Sequence, residues 1–208
     1  MGDRLNSLLA DHALLRLAWD NWAEVVPGKL YRSNHPTPRR LAAAARRFGL
    51  RTVVNLRGEK PNGSTSLSLR AADALGLDHV FAPFESRGAP HRDRILQFHE
   101  TYRTMRLPAL IHCKSGADRA GLVAGLAVLF EGGTAAAAAR ELSLRFLHFR
   151  RSRTGILDAF FARYAREGEG RIGFLDWVRD ESREADLRRD FSASGVVGVL
   201  NDWVLRRE

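Results

Sequence analysis

Ten consecutive residues, from Gly121 to Phe130, carry no polar side chain, and this run constrains the fold more than any other feature of the sequence. It is too short to cross a membrane, which needs about 20 apolar residues. It is long enough for a helix, and a helix that is apolar on every side must be covered on every side. We therefore expect a helix buried beneath a sheet.

Strand-like and helix-like segments alternate before this run. Four short apolar runs have the length of strands, namely 29–33, 52–56, 79–83 and 109–112. The stretches between them have helix formers and enough length to connect parallel strands, namely 37–48, 64–75 and 90–105. The sequence therefore predicts an α/β fold with a central, mostly parallel sheet of four to five strands flanked by helices.

The two ends of the chain are predicted to be helical. Leucines at helical spacing indicate an amphipathic helix over residues 4–22. After the apolar run, helices are predicted over two segments, 134–147 and 154–166. The glycines between Glu167 and Gly170 mark the best boundary. We expect one domain over residues 1–170, which includes the N-terminal helix, and a helical C-terminal extension over residues 171–208.

The formal net charge of +9 invites a nucleic-acid interpretation, but the distribution of charge argues against it. Only three of the 33 basic residues are lysines, and the arginines are scattered among acidic residues in every segment. Basic stripes and aromatic platforms are missing, so no dedicated nucleic-acid binding is expected. Neither a signal-peptide pattern nor an apolar run of membrane length is present, which predicts a cytoplasmic protein without a membrane span. The oligomeric state is left open.

The clearest chemistry lies between the last predicted strand and the buried helix. Cys113 stands six residues before Arg119, a spacing that means little by itself in so arginine-rich a chain. A loop from a strand to a helix N-terminus, however, directs backbone N–H groups and the helix dipole at one point, where an anion such as phosphate binds. The same field favours a thiolate at Cys113, and Arg119 can bind two phosphate oxygens. Since Cys113 is the single cysteine, it is expected to act as a thiol.

The segment resembles the signature loop of the protein tyrosine and dual-specificity phosphatases, His-Cys-x-x-Gly-x-x-Arg. The matching residues are His112, Cys113, Gly116 and Arg119. The segments 31–36 and 52–57 are also similar to the opening of small bacterial members, so the resemblance covers roughly residues 29–165.

The resemblance implies a phosphate-monoester hydrolase that forms a phospho-cysteine on Cys113, with Arg119 holding the phosphate and with no metal or cofactor. The residues expected around the phosphate are His112, Lys114, Ser115, Gly116, Ala117, Asp118 and Arg119. The implied substrate is a phosphorylated protein carrying phosphotyrosine, alone or with phosphoserine and phosphothreonine. A phosphoinositide or another small phosphate ester is the alternative.

Two departures from the family pattern bear on turnover. Ala120 replaces the usual Ser or Thr after the arginine, whose hydroxyl helps the thiolate leave in the family. Ser86 aligns with the usual general acid, an aspartate, so another carboxylate must protonate the leaving oxygen. Asp118 is the first candidate, because Cys-x-x-Gly-x-Asp-Arg resembles the loop of phosphoinositide phosphatases. Glu85 is the second, and Asp93 lies further along the chain.

Other readings remain open at this stage. A phosphate-binding pseudophosphatase fits the departures, and sulfur transfer or arsenate reduction also uses a cysteine in an anion-binding loop. The polar residues expected at strand ends are Arg32, Asn34, His35 and Arg57. A basic cluster that could meet an anionic substrate or form a solvated face comprises Arg145, His148, Arg150, Arg151 and Arg153. Within that cluster, His148 is expected to be structural rather than catalytic.

Overall fold

The computed structural model describes residues 19–59 and 63–193, and within them five strands form one sheet. The strands are β1 (Ala23–Val26), β2 (Leu30–Ser33), β3 (Thr52–Asn55), β4 (Asp78–Phe81) and β5 (Ala109–His112). They lie in the order β1-β2-β5-β3-β4, with β1 antiparallel to β2 and every other pair parallel. The predicted fold class is confirmed, and β1 is a strand that the sequence patterns did not indicate.

Helices connect and cover the strands. They are α1 (Pro38–Phe48), α2 (Gly63–Ala74), α3 (Arg92–Thr104), α4 (Asp118–Phe130), α5 (Ala135–Ala139), α6 (Ile156–Glu167), α7 (Phe174–Asp176) and α8 (Glu184–Ala193). Short 3₁₀ turns span Leu144–Phe146 and Arg153–Gly155, and a π turn spans Trp177–Glu181.

Two predicted helices differ from the structure. The helix expected over 134–147 ends at Ala139, because the chain then turns so that Leu142 and Phe146 are both buried. Residues 19–22 form no helix, and residues 4–18 of the predicted N-terminal helix lie outside the described residues.

The sheet is covered on both faces because successive side chains of a strand point to opposite sides. Leu30, Val54 and Ile111 belong to a large core with side chains of α3, α4 and α6. Their strand neighbours Tyr31, Val53 and Leu110 belong to a smaller core with side chains of α1 and α2. In α4, ten of the 13 residues are buried, so the predicted buried helix is confirmed.

The segment after residue 170 packs on α6. Trp177 is fully buried, with its ring 5.6 Å from that of Phe160 and 5.2 Å from that of Tyr164. The division into a domain over residues 1–170 and an extension over 171–208 stays a prediction. Among the described helices, none has the length and apolar character needed to cross a membrane.

Candidate active site

The candidate site lies where the central strand ends. Ser33, Asn55 and His112 are in register on β2, β3 and β5, so the carboxyl ends of these parallel strands form one edge of the sheet. Residues 113–117, here called the Cys113 loop, connect β5 to the first residue of α4. The loop therefore joins a strand end to a helix N-terminus, as the sequence predicts, and such edges are where open α/β sheets bind ligands.

Arg32 on β2 holds the back of the Cys113 loop and is fully buried. Its Nη2 donates to the carbonyl oxygens of Gly116 at 2.7 Å and Ala117 at 3.2 Å. Its Nη1 donates to the backbone oxygen and to Oε2 of Glu141, both at 2.7 Å. Burial lowers the pKa of Arg32, and the Glu141 carboxylate offsets part of that effect. The guanidinium also lies 3.8 Å from the centroid of the Phe146 ring, which fixes its plane.

The first half of the loop is held in the same way. Asn21 Nδ2 donates to the carbonyl oxygen of Ser115 at 2.7 Å. The backbone N–H of His35 donates to the carbonyl oxygen of Lys114 at 3.3 Å. When the two bonds from Arg32 are added, the carbonyls of four consecutive residues, 114–117, accept hydrogen bonds from groups on the outer side of the loop. This arrangement leaves the inner side of the loop to N–H groups, which is the geometry of an anion-binding nest.

Gly116 directs its amide at the nucleophile and lies where only glycine fits. Its N–H donates to Sγ of Cys113 at 3.2 Å, so a loop amide is directed at the sulfur. Its φ is +76°, and a Cβ there would lie 2.7 Å from the backbone nitrogen of Asn34 and 2.8 Å from the carbonyl carbon of Ser33. Glycine is therefore required by the backbone and by the space.

The candidate catalytic side chains lie where the Cys113 loop meets α4. Cys113 is 2% exposed, and Arg119, in the first turn of α4, is 6% exposed. Lys114 and Ser115 are half-buried, and the Ser115 Oγ accepts the N–H of Ala117 at 3.4 Å. A sulfur nucleophile, backbone N–H groups and a guanidinium are thus collected at a helix N-terminus, which suits binding and attack of a tetrahedral phosphate.

His112 is fully buried beside the nucleophile and packs edge-on against His35, with 4.7 Å between ring centroids. Burial, together with the charges of His35 and His79, lowers the pKa of His112 well below its usual range. A polar contact with the backbone of Cys113 opposes this shift. The ring is therefore neutral where it lies beside the nucleophile.

Asp118 is tied to two residues from other segments. Its Oδ1 lies 2.7 Å from Nδ1 of His148, and Nε2 of His148 lies 2.6 Å from Oδ2 of Asp158 on α6. Burial of the ring lowers its pKa, but the two carboxylates outweigh burial and raise the pKa of His148 to about 9. His148 is thus a cation between two carboxylates at neutral pH.

Glu85 lies in a different environment. It forms an ion pair with Arg94 of α3, and its Oε1 is 3.7 Å from Nε2 of His91, whose Nδ1 is 2.6 Å from Glu184. These contacts connect Glu85 to α3 and α8, whereas Asp118 directly follows the Cys113 loop as the first residue of α4. Asp93, the third candidate, has a side chain that is 88% exposed.

Sequence patterns predict a loop between a strand and a helix, as the structure has it, but they do not identify all the residues that hold this loop. Asn21 falls within a segment predicted as helix, so no pattern marks it. Asp158 offers one signal, because it is an acid between the apolar residues Leu157 and Phe160 on a helix that faces the core. Arg32 was noted as a strand-end residue, but its bonds to Gly116 and Glu141 depend on the folded chain.

Comparison with known proteins identifies a family and similar folds. The family model described as "Swiss Army Knife protein, DSP-PTPase phosphatase domain" matches residues 20–154, more than half of the chain. The fold is similar to that of P. aeruginosa TpbA, with 20% identity, a TM-score of 0.56, and coverage of 78% of this chain and 94% of TpbA. It is also similar to the core catalytic domain of the PP-IP phosphatase SIW14 from S. cerevisiae, with 17% identity, a TM-score of 0.51, and coverage of 86% and 96%. No curated protein sequence gives a significant match.

The likeness to solved structures supports the α/β phosphatase fold, and the family match covers the Cys113 loop and the strands around it. The chain therefore belongs to the Swiss Army Knife DSP-PTPase family, the cysteine-dependent phosphatases that hydrolyse phosphate monoesters.

Proposed function

We propose that the chain hydrolyses phosphate monoesters in two steps through a phospho-cysteine on Cys113. The observation that carries this proposal is the Cys113 loop itself, whose carbonyls are bound from outside while the Gly116 N–H is directed at the sulfur. Donors fixed before substrate arrives stabilise the charge of a phosphoryl group without reorganising during the reaction.

In the first step the Cys113 thiolate attacks phosphorus, the bond to the leaving oxygen breaks, and Asp118 protonates that oxygen. Arg119 binds two phosphoryl oxygens and stabilises their charge as the group transfers. In the second step water attacks the phospho-cysteine, Asp118 accepts the proton of that water, and phosphate and thiolate are released. The proton that Asp118 gave up is thereby returned.

Asp118 is the better candidate for the acid because of its position. It is the first residue of α4 and follows the loop that holds the phosphate. Glu85 is held by Arg94 and His91 at the surface of α3. A general acid must come within hydrogen-bond reach of the leaving oxygen, and Asp118 is already attached to the loop that positions it.

The second step is expected to be slow. Ala120 is fully buried and supplies no hydroxyl next to Arg119 to help the thiolate leave. The phospho-cysteine should therefore accumulate, and acid quenching during turnover of a labelled aryl phosphate would trap it on Cys113. An Ala120→Ser variant should accumulate less of it.

The substrate that fits best is phosphotyrosine, alone or with phosphoserine and phosphothreonine. Because Cys113 is 2% exposed, a long, flat phenyl ring can carry a phosphate to the sulfur more readily than the short side chain of phosphoserine. In support, a serine variant of TpbA has been solved in complex with phosphotyrosine. A phosphoinositide or another inositol phosphate is the second candidate, favoured by Lys114 in the loop and by the name of SIW14 as a PP-IP phosphatase.

The test is hydrolysis of phosphotyrosine peptides, phosphoserine peptides, a soluble phosphoinositide and an inositol pyrophosphate under identical conditions. Cys113→Ser should lose about 10⁴-fold or more in kcat, and Arg119→Lys about 10²-fold. Arg103→Lys, an exposed arginine on α3, is the matched control and should behave as wild type. Activity that survives in Cys113→Ser would exclude the mechanism, and preference for the inositol compounds would replace the phosphotyrosine assignment.

A further inference from the structure

A row of three charged side chains extends from the first residue of α4, through the buried ring of His148, to Asp158 beside a cleft. Asp118 begins α4, His148 follows the 3₁₀ turn Leu144–Phe146, and Asp158 lies in the first turn of α6. The two contacts of the ring are 2.7 Å and 2.6 Å long. The His148 side chain is 0% exposed, against 18% for Asp118 and 11% for Asp158. The first turns of two helices, α4 and α6, thus contact one imidazole from the segment between them.

This arrangement is more than packing requires. Burying an ion pair costs desolvation energy, and apolar side chains of similar volume would often stabilise the fold as well. The three groups that take part carry one positive and two negative charges. Other charged residues line the cleft of about 640 Å³ that adjoins His148 and Asp158, namely Arg150, Arg151 and Glu169. The pKa of His148, raised to about 9 by the two carboxylates against the effect of burial, keeps a proton in the row at neutral pH.

We propose that His148 is the positioning residue of the general acid: it orients the Asp118 carboxyl and supplies the proton that Asp118 delivers, while Asp158 holds the ring. This inference rests on the proposed role of Asp118. It assigns His148 a part in the chemistry, whereas the sequence suggested a structural histidine.

The proton balance is simple when Asp118 and His148 are treated as a pair that shares one proton. In the first step that proton passes through Asp118 to the leaving oxygen as the S–P bond forms and the P–O bond breaks. The pair is left as a carboxylate and a neutral ring. In the second step the attacking water gives its proton to the pair as the S–P bond breaks, which restores the starting state. Ester and water have then become alcohol and phosphate.

The test compares two aryl phosphates that differ in their need for an acid. Phenyl phosphate has a basic leaving group that requires a proton, whereas 2,4-dinitrophenyl phosphate leaves readily without one. His148→Gln should lower kcat/KM for phenyl phosphate by about 10²-fold and change that for the dinitrophenyl ester by less than about 3-fold. His99→Gln, which removes a histidine beside Glu100 on α3, is the matched control and should leave both rates unchanged.

A role limited to structure would lower both rates of His148→Gln equally, and that outcome overturns the proposal, as does no change in either rate. If His148→Gln does not fold, Asp158→Asn takes its place. Removing that carboxylate should lower the pKa of His148, so the alkaline limb of the phenyl phosphate profile should shift to lower pH. An unshifted limb would overturn the proposal.

Failure of the proposed function has a different signature. Hydrolysis of the dinitrophenyl ester that survives in Cys113→Ser would exclude the phospho-cysteine mechanism. Full activity of the Asp118→Asn variant on phenyl phosphate would exclude Asp118 as the acid. Neither result depends on the behaviour of the His148 variant.

Discussion

Two loops at the same edge of the sheet are held in different ways. The Cys113 loop is fixed through its backbone by buried donors, of which Arg32 binds two carbonyls. The loop over residues 82–90, which follows β4, starts with backbone bonds from Ala82 and Phe84 to β3 and the residue after it. Beyond Phe84, its Glu85 is bound by an ion pair with Arg94 whose side chains are 39% and 32% exposed.

The difference indicates what each loop requires. Hydrogen bonds to a buried charged donor are strong, whereas ion pairs at the surface contribute about 0–1 kcal/mol. A loop that stabilises a phosphoryl group needs fixed donors, so support from the interior is appropriate. The loop over 82–90 can exchange its surface contacts at little cost. Substitutions at matched positions of the two loops should therefore have very different effects.

The largest contrast is expected between Gly116→Ala and Gly88→Ala. At Gly116 the new Cβ would lie within 2.8 Å of backbone atoms at a φ of +76°, so unfolding free energy should fall by about 5 kcal/mol and kcat by about 10³-fold. At Gly88 the nearest atom, Cβ of Glu85, would be 3.5 Å away, an ordinary contact, so stability should change by less than about 0.5 kcal/mol. Urea unfolding measures the stability of the two variants, and aryl phosphate turnover measures their kcat. Equal effects would contradict the contrast.

The next contrast is between the two arginines that anchor the loops. Arg32→Met leaves the Gly116 and Ala117 carbonyls without their donor and Glu141 without its buried cation. We expect a loss of about 4 kcal/mol in stability and about 10² in kcat/KM, since a small displacement of the loop misplaces its amides. Arg94→Met removes the anchor of Glu85 and should cost less than about 1 kcal/mol. A larger loss in Arg94→Met than in Arg32→Met would contradict the claim that the Cys113 loop depends more on its anchor than the loop over 82–90 does.

These contrasts also separate what the sequence could predict from what it could not. The Cys113 loop and α4 were predicted because their signals are local: an apolar strand, a glycine and an apolar helix follow one another in the chain. The faces of β2, β3 and β5 follow from the alternation of their side chains.

The supports of the loop could not be predicted, because each is a contact between distant residues. Arg32 is 84 residues from Gly116, and Asn21 is 94 residues from Ser115. Periodicity shows which face a residue occupies, not which partner it meets there. His148 is the clearest case, because the run of arginines around it identifies no carboxylate partner, whereas the turns after α5 bury it between Asp118 and Asp158.

The charge of His148, which contacts Asp118 after the Cys113 loop, can be tested through the pH dependence of stability. The pKa of His148 is about 9 in the folded protein, above the usual value of about 6.5 in an unfolded chain. Its contribution to stability is therefore complete below about pH 6.5 and is lost as the pH rises through about 9, for a total of about 3 kcal/mol. The difference in unfolding free energy between wild type and His148→Gln should shrink by this amount from pH 6 to pH 10. A constant difference would mean that the ring is not charged.

The smallest effect is expected for Glu85→Gln. The substitution removes one half-exposed ion pair with Arg94, so stability should fall by less than about 1 kcal/mol. Turnover of phenyl phosphate should stay within about 3-fold of wild type, and the alkaline limb of its pH profile should be kept, because the proposed acid is Asp118, which follows the Cys113 loop. Asp118→Asn measured alongside should remove that limb. Loss of the limb in Glu85→Gln would place the acid on the loop over 82–90, at a side chain whose contacts with Arg94 and His91 are half-exposed.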